Sequence, residues 1–328
     1  MNQTKVCVKV PASTANLGPG FDCLGMALDL YAWIEMDFAF ETKIILHGEQ
    51  MRGIPLDKSN LIYQVAQMVF AAAGVSHPEL EIAMYSEIPL TRGLGSSASA
   101  IIGGMVAANT LIGNALSMDI IFQMATQLEK HPDNVGASLF GGIVVAFWDG
   151  LRAEYIRIAP HERLEALVAI PEFQLSTETA RHALPKEVLM GDAVFNLSHS
   201  SLLVAALSSG RLDLIRLAMQ DMLHQPYRAA LIPGMTKILR EATHHGALGV
   251  ALSGAGPTLL ALVDKQSHEK DALAKFMQDT LLEENITATM MWLQPEALGV
   301  QVLDNNLPNS YTSLEEIMVK QRIRNENS

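Results

Sequence analysis

The segment PLTRGLGSSAS, residues 89–99, constrains this chain most, because it leads from a strand-like stretch directly into a helix. Residues 80–88 have the pattern of a strand, and residues 97–111 are small and apolar, as in a buried helix. In this layout the unpaired backbone N–H groups point towards the space in front of the helix N-terminus. The helix dipole adds about half a positive charge at the same place. Gly93 and Gly95 remove the β-carbons that would keep a phosphate away from the backbone. The segment predicts a polyphosphate site, with an ordinary serine-capped helix N-terminus as the alternative for the loop alone.

The familiar nucleotide and nucleophile motifs do not occur in the sequence. There is no G-x-x-x-x-G-K-[ST] segment, and the glycines do not fit G-x-G-x-x-G. The turn at Ser253 reads ALSGA over residues 251–255, so it is not the G-x-S-x-G elbow of a hydrolase. A nucleotide bound by this chain must therefore use a different loop.

The overall charge restricts the partners of the chain. Its formal net charge is −12, which argues against a general nucleic-acid or anionic-membrane surface. An anionic nucleotide must then be held locally, with a divalent cation shielding its phosphates. No apolar run reaches the roughly 18 residues of a membrane span and the N-terminus lacks a signal-peptide pattern, so we expect a cytoplasmic protein. Cys7 and Cys23 lack metal-ligand spacing and cannot form a disulfide framework; we expect both to be buried thiols.

Three glycine-rich turns, each following a predicted strand, indicate a composite site. They are NLGPGFD at residues 16–22, GLGSS at 93–97 and SGAGP at 253–257. Glycine accepts backbone conformations that other residues avoid, so such turns allow close approach of two backbones. One turn of this kind is weak evidence, but three predict convergence on one cleft. The third is expected to support the phosphate loop rather than to contact the nucleotide.

These segments resemble the motifs of the GHMP kinases, the superfamily of galactokinase, homoserine kinase, mevalonate kinase and phosphomevalonate kinase. Residues 89–98 look like its phosphate loop, and LSGAGPT at 252–258 looks like its third motif. VPASTANLGPGFD at residues 10–22 and EKHPDNV at 129–135 are similar to the forms of the homoserine kinase branch. The resemblance extends from Lys5 to Val302.

The resemblance implies an α+β fold with two domains and the nucleotide between them. The N-terminal domain, residues 1–160, would be an α/β unit with a left-handed βαβ crossover, against the usual right-handed rule. The C-terminal domain, residues 161–303, would be a ferredoxin-like α+β unit. Residues 304–328 would form a polar tail.

The resemblance also implies ATP and Mg²⁺, bound at the helix that follows the phosphate loop. Ser97 and Glu129 look like the metal ligands, since Mg²⁺ takes few protein oxygens besides phosphates and waters. A surface ion pair of Glu129 is the alternative, and the neighbouring Lys130 departs from the glycine that many relatives carry. The residues expected to contact the nucleotide are Pro89, Leu90, Thr91, Arg92, Gly93, Leu94, Gly95, Ser96, Ser97, Ala98 and Ser99.

The substrate that the resemblance implies is L-homoserine, a small zwitterion whose hydroxyl would receive the phosphoryl group, in threonine biosynthesis. Arg181 and Arg228 suit its carboxylate through bidentate hydrogen bonds, unless they are solvated helix arginines. Asp22 and Asn16 are candidates for the ammonium and hydroxyl ends. Turn formation is the alternative for both, because Asn and Asp favour such loops.

Four further residues complete the predicted substrate-binding set: His131, Asn134, Thr177 and Gly254. His131 would contact the substrate or the transferring phosphoryl group, or else be a neutral structural histidine beside Pro132. Thr177 would bind through its hydroxyl or cap a helix.

Asn134 falls where mevalonate-type and galactose-type kinases carry a catalytic aspartate. An amide is not a useful proton acceptor, so the resemblance implies transfer without a side-chain base, by positioning and charge stabilisation. The adjacent Asp133 is an alternative base, although we expect it to serve structure. The metal, the loop N–H groups and either Arg92 or Lys9 would stabilise the charge. The predicted catalytic set is Asn134, Glu129, Ser97 and Arg92.

Two other functions remain open from the sequence. One is another small-molecule kinase of the superfamily, of the mevalonate or sugar type, which would carry an acidic residue at position 134 and fewer carboxylate-binding arginines. The other is a non-catalytic nucleotide-binding module, which would have a broken phosphate loop, whereas the glycines and serines of residues 93–97 are intact. The expected partners are ATP and a small molecule, without nucleic acid or membrane, and a homodimer is left open.

Overall fold

The computed structural model describes residues 5–303, 314 and 316–319 of the chain. These residues form a seven-stranded and a four-stranded β-sheet with helices packed against them, which is the predicted α+β architecture. The rest of the predicted tail, residues 304–328, lies outside the described residues. Within the described part of the chain, no helix is both long enough and apolar enough to cross a bilayer.

The first sheet contains the N-terminal strands and the last described strand. Its members are β1 (Val6–Ala15), β2 (Leu24–Ala39), β3 (Lys43–His47), β4 (Glu79–Ser86), β5 (Ile143–Trp148), β6 (Ala153–Ile158) and β11 (Gln301–Leu303). The order is β11-β1-β2-β4-β3, and β5 pairs with the start of β2 and with β6. β3 and β4 are parallel neighbours separated by a helix, so a βαβ unit is present. The handedness of its crossover stays a prediction.

Four helices belong to this half: α1 (Leu61–Ala72), α2 (Ser96–Leu111), α3 (Met118–Glu129) and α4 (Asp133–Phe140). α1 and α3 begin at residues that favour helix starts, because the side chains of Asn60 and Ser117 cap them. α2 is buried over most of its length, and its small residues admit close neighbours. A β-carbon on Gly103 would lie only 2.5 Å from Ile34 Cδ1. This packing fixes the N-terminus of α2 at the end of the phosphate loop.

The second sheet has the strand order of a ferredoxin-like domain, as expected. It contains β7 (Leu164–Pro171), β8 (Gly249–Leu252), β9 (Leu259–Asp264) and β10 (Ala288–Leu293), antiparallel in the order β10-β7-β9-β8. Its helices are α5 (Thr177–His182), α6 (Met190–Ser209), α7 (Ile215–Ala218), α8 (Gln225–Arg228), α9 (Met235–Glu241) and α10 (Lys270–Glu283). α7 and α9 are short, because 3-10 turns occupy residues 212–214 before α7 and residues 242–245 after α9.

β7 belongs to two hydrophobic cores at once. Val168 and Ile170 join the cluster that includes β1 and β2, whereas Leu167 and Ala169 join the cluster that includes α9 and α10. Successive side chains of a strand point to opposite faces, so one strand buried on both faces serves both clusters.

The two cysteines differ in exposure. Cys7 is buried, as predicted, and both thiols are free. Cys23 is exposed, so the prediction of a buried thiol is wrong there, because this residue lies on the turn before β2 rather than within a strand.

Candidate active site

The three glycine-rich turns meet at a cleft between the two sheets, as the sequence predicts. Ser253 Oγ donates to Gly93 O at 2.6 Å, which connects the third turn to the phosphate loop. Asn16 Nδ2 donates to Gly254 O at 2.9 Å, and Gly254 N donates to Ala15 O at 3.1 Å, which connect the third turn to the first. The third turn therefore supports the other two, in agreement with the role expected for it.

Glycine is required at two positions of the phosphate loop. Gly95 is the N-cap of α2 with a φ of 70°, and Gly93 has a φ of 81°. A β-carbon on Gly95 would lie 2.0 Å from Ser13 Oγ, and one on Gly93 would lie 2.3 Å from Ser253 O. Because a glycine N-cap has no side chain, it leaves the first N–H groups of α2 for a ligand or solvent. The serine-capped alternative is wrong.

Ser97 and Glu129, the predicted magnesium ligands, lie beside each other. Ser97 Oγ donates to Glu129 Oε1 at 2.6 Å. The chain then turns at Lys130, which has a φ of 67°, a conformation that suits glycine better than lysine. A hydroxyl and one carboxylate next to a phosphate loop fit Mg²⁺, which takes its other ligands from phosphates and water. No group of three or more His, Cys, Asp or Glu in the described residues is arranged to hold a metal by itself.

His131 is a buried histidine between two carboxylates in this cleft. Its Nδ1 bonds to Asp133 Oδ1 at 2.7 Å, and its Nε2 lies 3.7 Å from Glu129 Oε2. Burial disfavours the charged ring, but the carboxylates of Asp133 and Glu129 outweigh burial and raise the pKa of His131 to about 9. This pKa favours a positively charged ring at neutral pH, and the contact of His131 with a substrate or a phosphoryl group stays a prediction.

Asn134 has an oriented amide. Its Oδ1 accepts from Ser13 Oγ at 2.9 Å, and Ser138 Oγ donates to Ser13 Oγ at 3.2 Å. Since Oδ1 is engaged, Nδ2 is the donor that Asn134 can offer to the cleft. Asp133 accepts from the Asn134 N–H at 2.7 Å as well as from His131, and it is 1% exposed. These contacts agree with the structural role expected for Asp133.

Asp22 and Arg181, predicted for opposite ends of a zwitterion, bind each other. Arg181 Nη1 and Nη2 donate to Asp22 Oδ2 and Oδ1 at 3.0 and 2.9 Å, a bidentate pair between the two halves of the molecule. Asp22 N donates to Asn16 Oδ1 at 3.0 Å, so the first turn fixes the direction of the carboxylate. The amide of Asn16 is thus engaged at both ends, as the turn-forming alternative predicts, and its contact with a substrate hydroxyl stays a prediction.

Arg228 is 2% exposed, beneath the same end of the cleft. Its Nε donates to Ala180 O at 3.2 Å, and its Nη1 donates to Gly254 O at 3.1 Å. Burial and the nearby Arg181 lower the pKa of Arg228 to about 10, against the opposite effect of Asp22. The guanidinium remains charged at neutral pH. The alternative of a solvated helix arginine is therefore wrong for Arg228.

Most predicted residues line the cleft. These are Asn16, Asp22, Thr91, Gly93, Gly95, Ser96, Ser97, Ala98, Glu129, His131, Asn134, Thr177, Arg181, Arg228 and Gly254. The predicted residues that do not line it are Pro89, Leu90, Arg92, Leu94 and Ser99. Thr177 is the first residue of α5, whose N-cap is Ser176, so the capping alternative for Thr177 is wrong.

The two basic residues expected to stabilise charge are not brought into the cleft. Arg92 Nη1 donates to Leu90 O at 3.4 Å, and its Nη2 donates to Glu172 O in the other half of the molecule. Lys9 Nζ lies over the ring of Tyr31, 3.5 Å from its centroid. Neither residue lines the cleft, whereas His131, whose role the sequence left undecided, does.

Three residues at this site were not expected from the sequence. Ser13 orients the amide at position 134, and Phe21 packs 5.7 and 5.3 Å from the guanidinium carbons of Arg181 and Arg228. Both residues belong to the first motif, residues 10–22, and their place in this motif could have identified them as site residues. His224 lies behind Arg228, and its only signal is a spacing of one helical turn from that arginine.

Comparison with known proteins agrees with this geometry. The family model for the GHMP kinases N terminal domain matches residues 60–142, and the model for GHMP kinases C terminal matches residues 203–281. The chain is 42% identical to the homoserine kinase of Carboxydothermus hydrogenoformans over 92% of its own length and 97% of that protein. It is 42% identical to the homoserine kinase of Deinococcus radiodurans, with coverages of 90% and 96%. The crystal structure of homoserine kinase from Cytophaga hutchinsonii matches with a TM-score of 0.83 and 27% identity, covering 92% of this chain and 98% of that one.

Proposed function

This chain belongs to the GHMP kinase family and, within it, to the homoserine kinases, and on that premise we propose that it phosphorylates the side-chain hydroxyl of L-homoserine with ATP. The product is O-phospho-L-homoserine, for threonine biosynthesis. One observation carries the proposal: a phosphate loop and opposite charges suited to a zwitterion line the same cleft. We also propose a cytoplasmic location, where ATP and free amino acids are available.

At one end of the cleft the protein offers backbone donors to the triphosphate. The glycine-capped first turn of α2 combines free N–H groups with a positive dipole end. Ser96 and Ser97 add hydroxyl groups. Ser97 and Glu129 would hold Mg²⁺, which supplies neutralisation of phosphate charge when bound.

At the other end the charges match the two charged groups of L-homoserine. Arg181 and Arg228 suit the carboxylate, and Asp22 suits the ammonium group. Asp22 and Arg181 also neutralise each other. When L-homoserine binds, its carboxylate pairs with Arg181 and its ammonium group pairs with Asp22. These two pairs replace the pair between Asp22 and Arg181, so no charge is left without a partner.

The phosphoryl transfer needs no side-chain base. Bonding to the entering oxygen is weak in the transition state, so the hydroxyl loses its proton late. Asn134 Nδ2 can donate to the hydroxyl oxygen and direct a lone pair towards the γ-phosphorus. The His131 imidazolium and the loop N–H groups stabilise negative charge on the transferring group, and the hydroxyl proton passes to a phosphate oxygen.

We propose domain boundaries at residues 1–160 and 161–303. In support, β6 ends at Ile158 and the second sheet begins with β7 at Leu164. β11 then brings the chain back to β1 of the first sheet. A homodimer stays a prediction. Sedimentation velocity tests it by measuring the size of the particle in solution.

A coupled assay of ADP release with L-homoserine, mevalonate and galactose as acceptors tests the proposed activity. We expect turnover with L-homoserine alone, because position 134 carries an amide and two arginines line the cleft. Turnover with mevalonate or galactose instead would favour another branch of the family. No turnover with any acceptor would favour a non-catalytic nucleotide-binding module.

A further inference from the structure

Behind Arg228 lies a histidine that does not line the cleft and has no role in the reaction as described. His224 is 0% exposed. Its Nδ1 lies 3.2 Å from Arg228 Nη1, and its Nε2 lies 2.8 Å from Gly18 O. A guanidinium only donates, so Nδ1 must accept and the ring proton must be on Nε2, where it is donated to Gly18 O. The geometry thus requires one tautomer of a neutral imidazole.

Asp221 fixes the chain segment that carries both residues. Its Oδ2 accepts from His224 N at 3.0 Å and from Gln225 N at 2.7 Å, and its Oδ1 accepts from Leu223 N at 3.0 Å. These bonds hold the start of α8, which has only four residues and would be marginal as an isolated helix. His224 precedes α8 and Arg228 ends it, so the two side chains lie on the same face.

The contacts of Arg228 with the protein leave one nitrogen of its guanidinium, Nη2, to bind a ligand in the cleft. Its Nε and Nη1 donate to the carbonyls of Ala180 and Gly254 and to His224 Nδ1. Within the described residues Nη2 makes no hydrogen bond to protein. The three acceptors therefore determine the plane of the guanidinium, and that plane determines where Nη2 points.

His224 also connects Arg228 to the first glycine-rich turn. Gly18, which accepts from its Nε2, belongs to the same turn as Asp22, and the ring of Phe21 stacks on His224 with centroids 5.1 Å apart. Burial lowers the pKa of His224, Asp221 opposes this effect, and Arg228 lowers the pKa further. A neutral ring is therefore the favoured form beside the guanidinium.

We propose that His224 is a positioning residue for L-homoserine: it holds the guanidinium of Arg228 in register with Asp22, so that carboxylate and ammonium groups are bound together. This inference rests on the proposed function. Asp221 takes part in two ways: it fixes the backbone from which His224 and Arg228 project, and its Oδ2 lies 3.5 Å from His224 Nε2.

Two conservative variants separate the two hydrogen bonds of the ring. His224→Gln keeps a donor near the position of Nε2 but loses the acceptor for Arg228, whereas His224→Asn offers an acceptor near the position of Nδ1. We expect His224→Gln to raise KM for L-homoserine about 10-fold and to leave KM for ATP within about 2-fold. His224→Asn should change KM for L-homoserine by less than about 3-fold. His199→Gln is the matched control, because that ring bonds to Phe195 O on α6, away from the cleft.

A double-mutant cycle with Arg228→Lys identifies the route of the effect. If His224 acts through Arg228, adding His224→Gln to Arg228→Lys should raise KM for L-homoserine no further. Additive effects, or equal increases in both KM values, would overturn the inference. Should His224→Gln fail to fold, His224→Asn by itself still tests the inference, because a 10-fold increase of KM for L-homoserine in that folded variant would overturn it. A wild-type protein without homoserine turnover would instead overturn the proposed function.

Discussion

The two ends of the cleft recognise charge by different means. At the phosphate end the backbone donors come from one continuous segment, and the backbone at Gly93 and Gly95 sets their geometry. At the homoserine end they come from distant segments, since Asp22 and Arg181 are 159 residues apart and meet only through side chains. A backbone site loses all its donors when the backbone moves, whereas a side-chain site can lose one contact and keep others. Substitutions should therefore abolish function at the first end and reduce it stepwise at the second.

Gly95→Ala should have the largest effect. The new β-carbon would lie 2.0 Å from Ser13 Oγ, so the loop must move. A displacement of about 1 Å is expected to lower kcat/KM about 10²-fold or more for both substrates. Steady-state kinetics measures this, with Gly150→Ala as control, because Gly150 also has a positive φ but no atom within 4 Å of the added carbon. A loss of kcat/KM for L-homoserine without a loss for ATP would contradict the assignment of Gly95 to the phosphate end of the cleft.

Glu129→Gln keeps the shape of the side chain and removes the charge proposed to hold Mg²⁺. We expect kcat to fall about 10- to 100-fold and the Mg²⁺ concentration for half-maximal rate to rise. Rates measured over a magnesium titration check this. A variant with full activity and unchanged magnesium dependence would exclude Glu129 as a metal ligand.

Arg228→Leu tests the stepwise loss at the homoserine end. Removing one charged hydrogen-bonding partner should raise KM for L-homoserine about 10- to 100-fold, with a much smaller change for ATP. Initial rates with each substrate varied in turn give both constants. Equal effects on the two substrates would remove the carboxylate-binding role.

His131 lines the cleft with the residues of both ends, and its contribution to the stability of the fold should depend on pH. Its pKa of about 9 in the folded protein lies above the ordinary value of 6.5. The charged ring therefore stabilises the fold fully below pH 6.5, and this contribution is lost as the pH rises through about 9. Urea unfolding of wild type and His131→Asn at several pH values should show a difference in unfolding free energy that shrinks over this range. A difference independent of pH would contradict the assignment of a cation.

Lys130→Gly should have the smallest effect, since Lys130 only turns the chain between Glu129 and His131. Its φ of 67° suits glycine, so relief of backbone strain should outweigh the greater flexibility of the unfolded chain. We expect a gain in unfolding free energy of less than about 1 kcal/mol. Urea unfolding measures it, and a loss of stability would show that Lys130 makes contacts that compensate for its strain.

Features with a local cause could be predicted from the sequence. α1 and α3 follow from the caps Asn60 and Ser117, and the phosphate loop follows from its own glycines. α4 was not predicted, because its eight residues are too few for periodicity to identify a helix, and burial against the sheet holds them in place.

Individual side-chain contacts between distant segments could not be predicted, although the meeting of the three turns was. Ser13 Oγ and Asn134 Oδ1 are 121 residues apart in sequence, and nothing near either residue indicates the other. The ion pair of Asp22 with Arg181 was missed for the same reason, although each residue was assigned to the substrate individually. The charge of His131 depends on two carboxylates and on burial, which only the folded chain brings together.

The strand shared by two cores limits how the enzyme can open. Separating the two halves as rigid bodies would divide the apolar cluster that contains Val168, since that cluster has members in both halves. We therefore expect reactants to enter and leave through movement of the loops around the cleft, while β7 stays in place. Heat should accordingly melt both halves in a single cooperative transition.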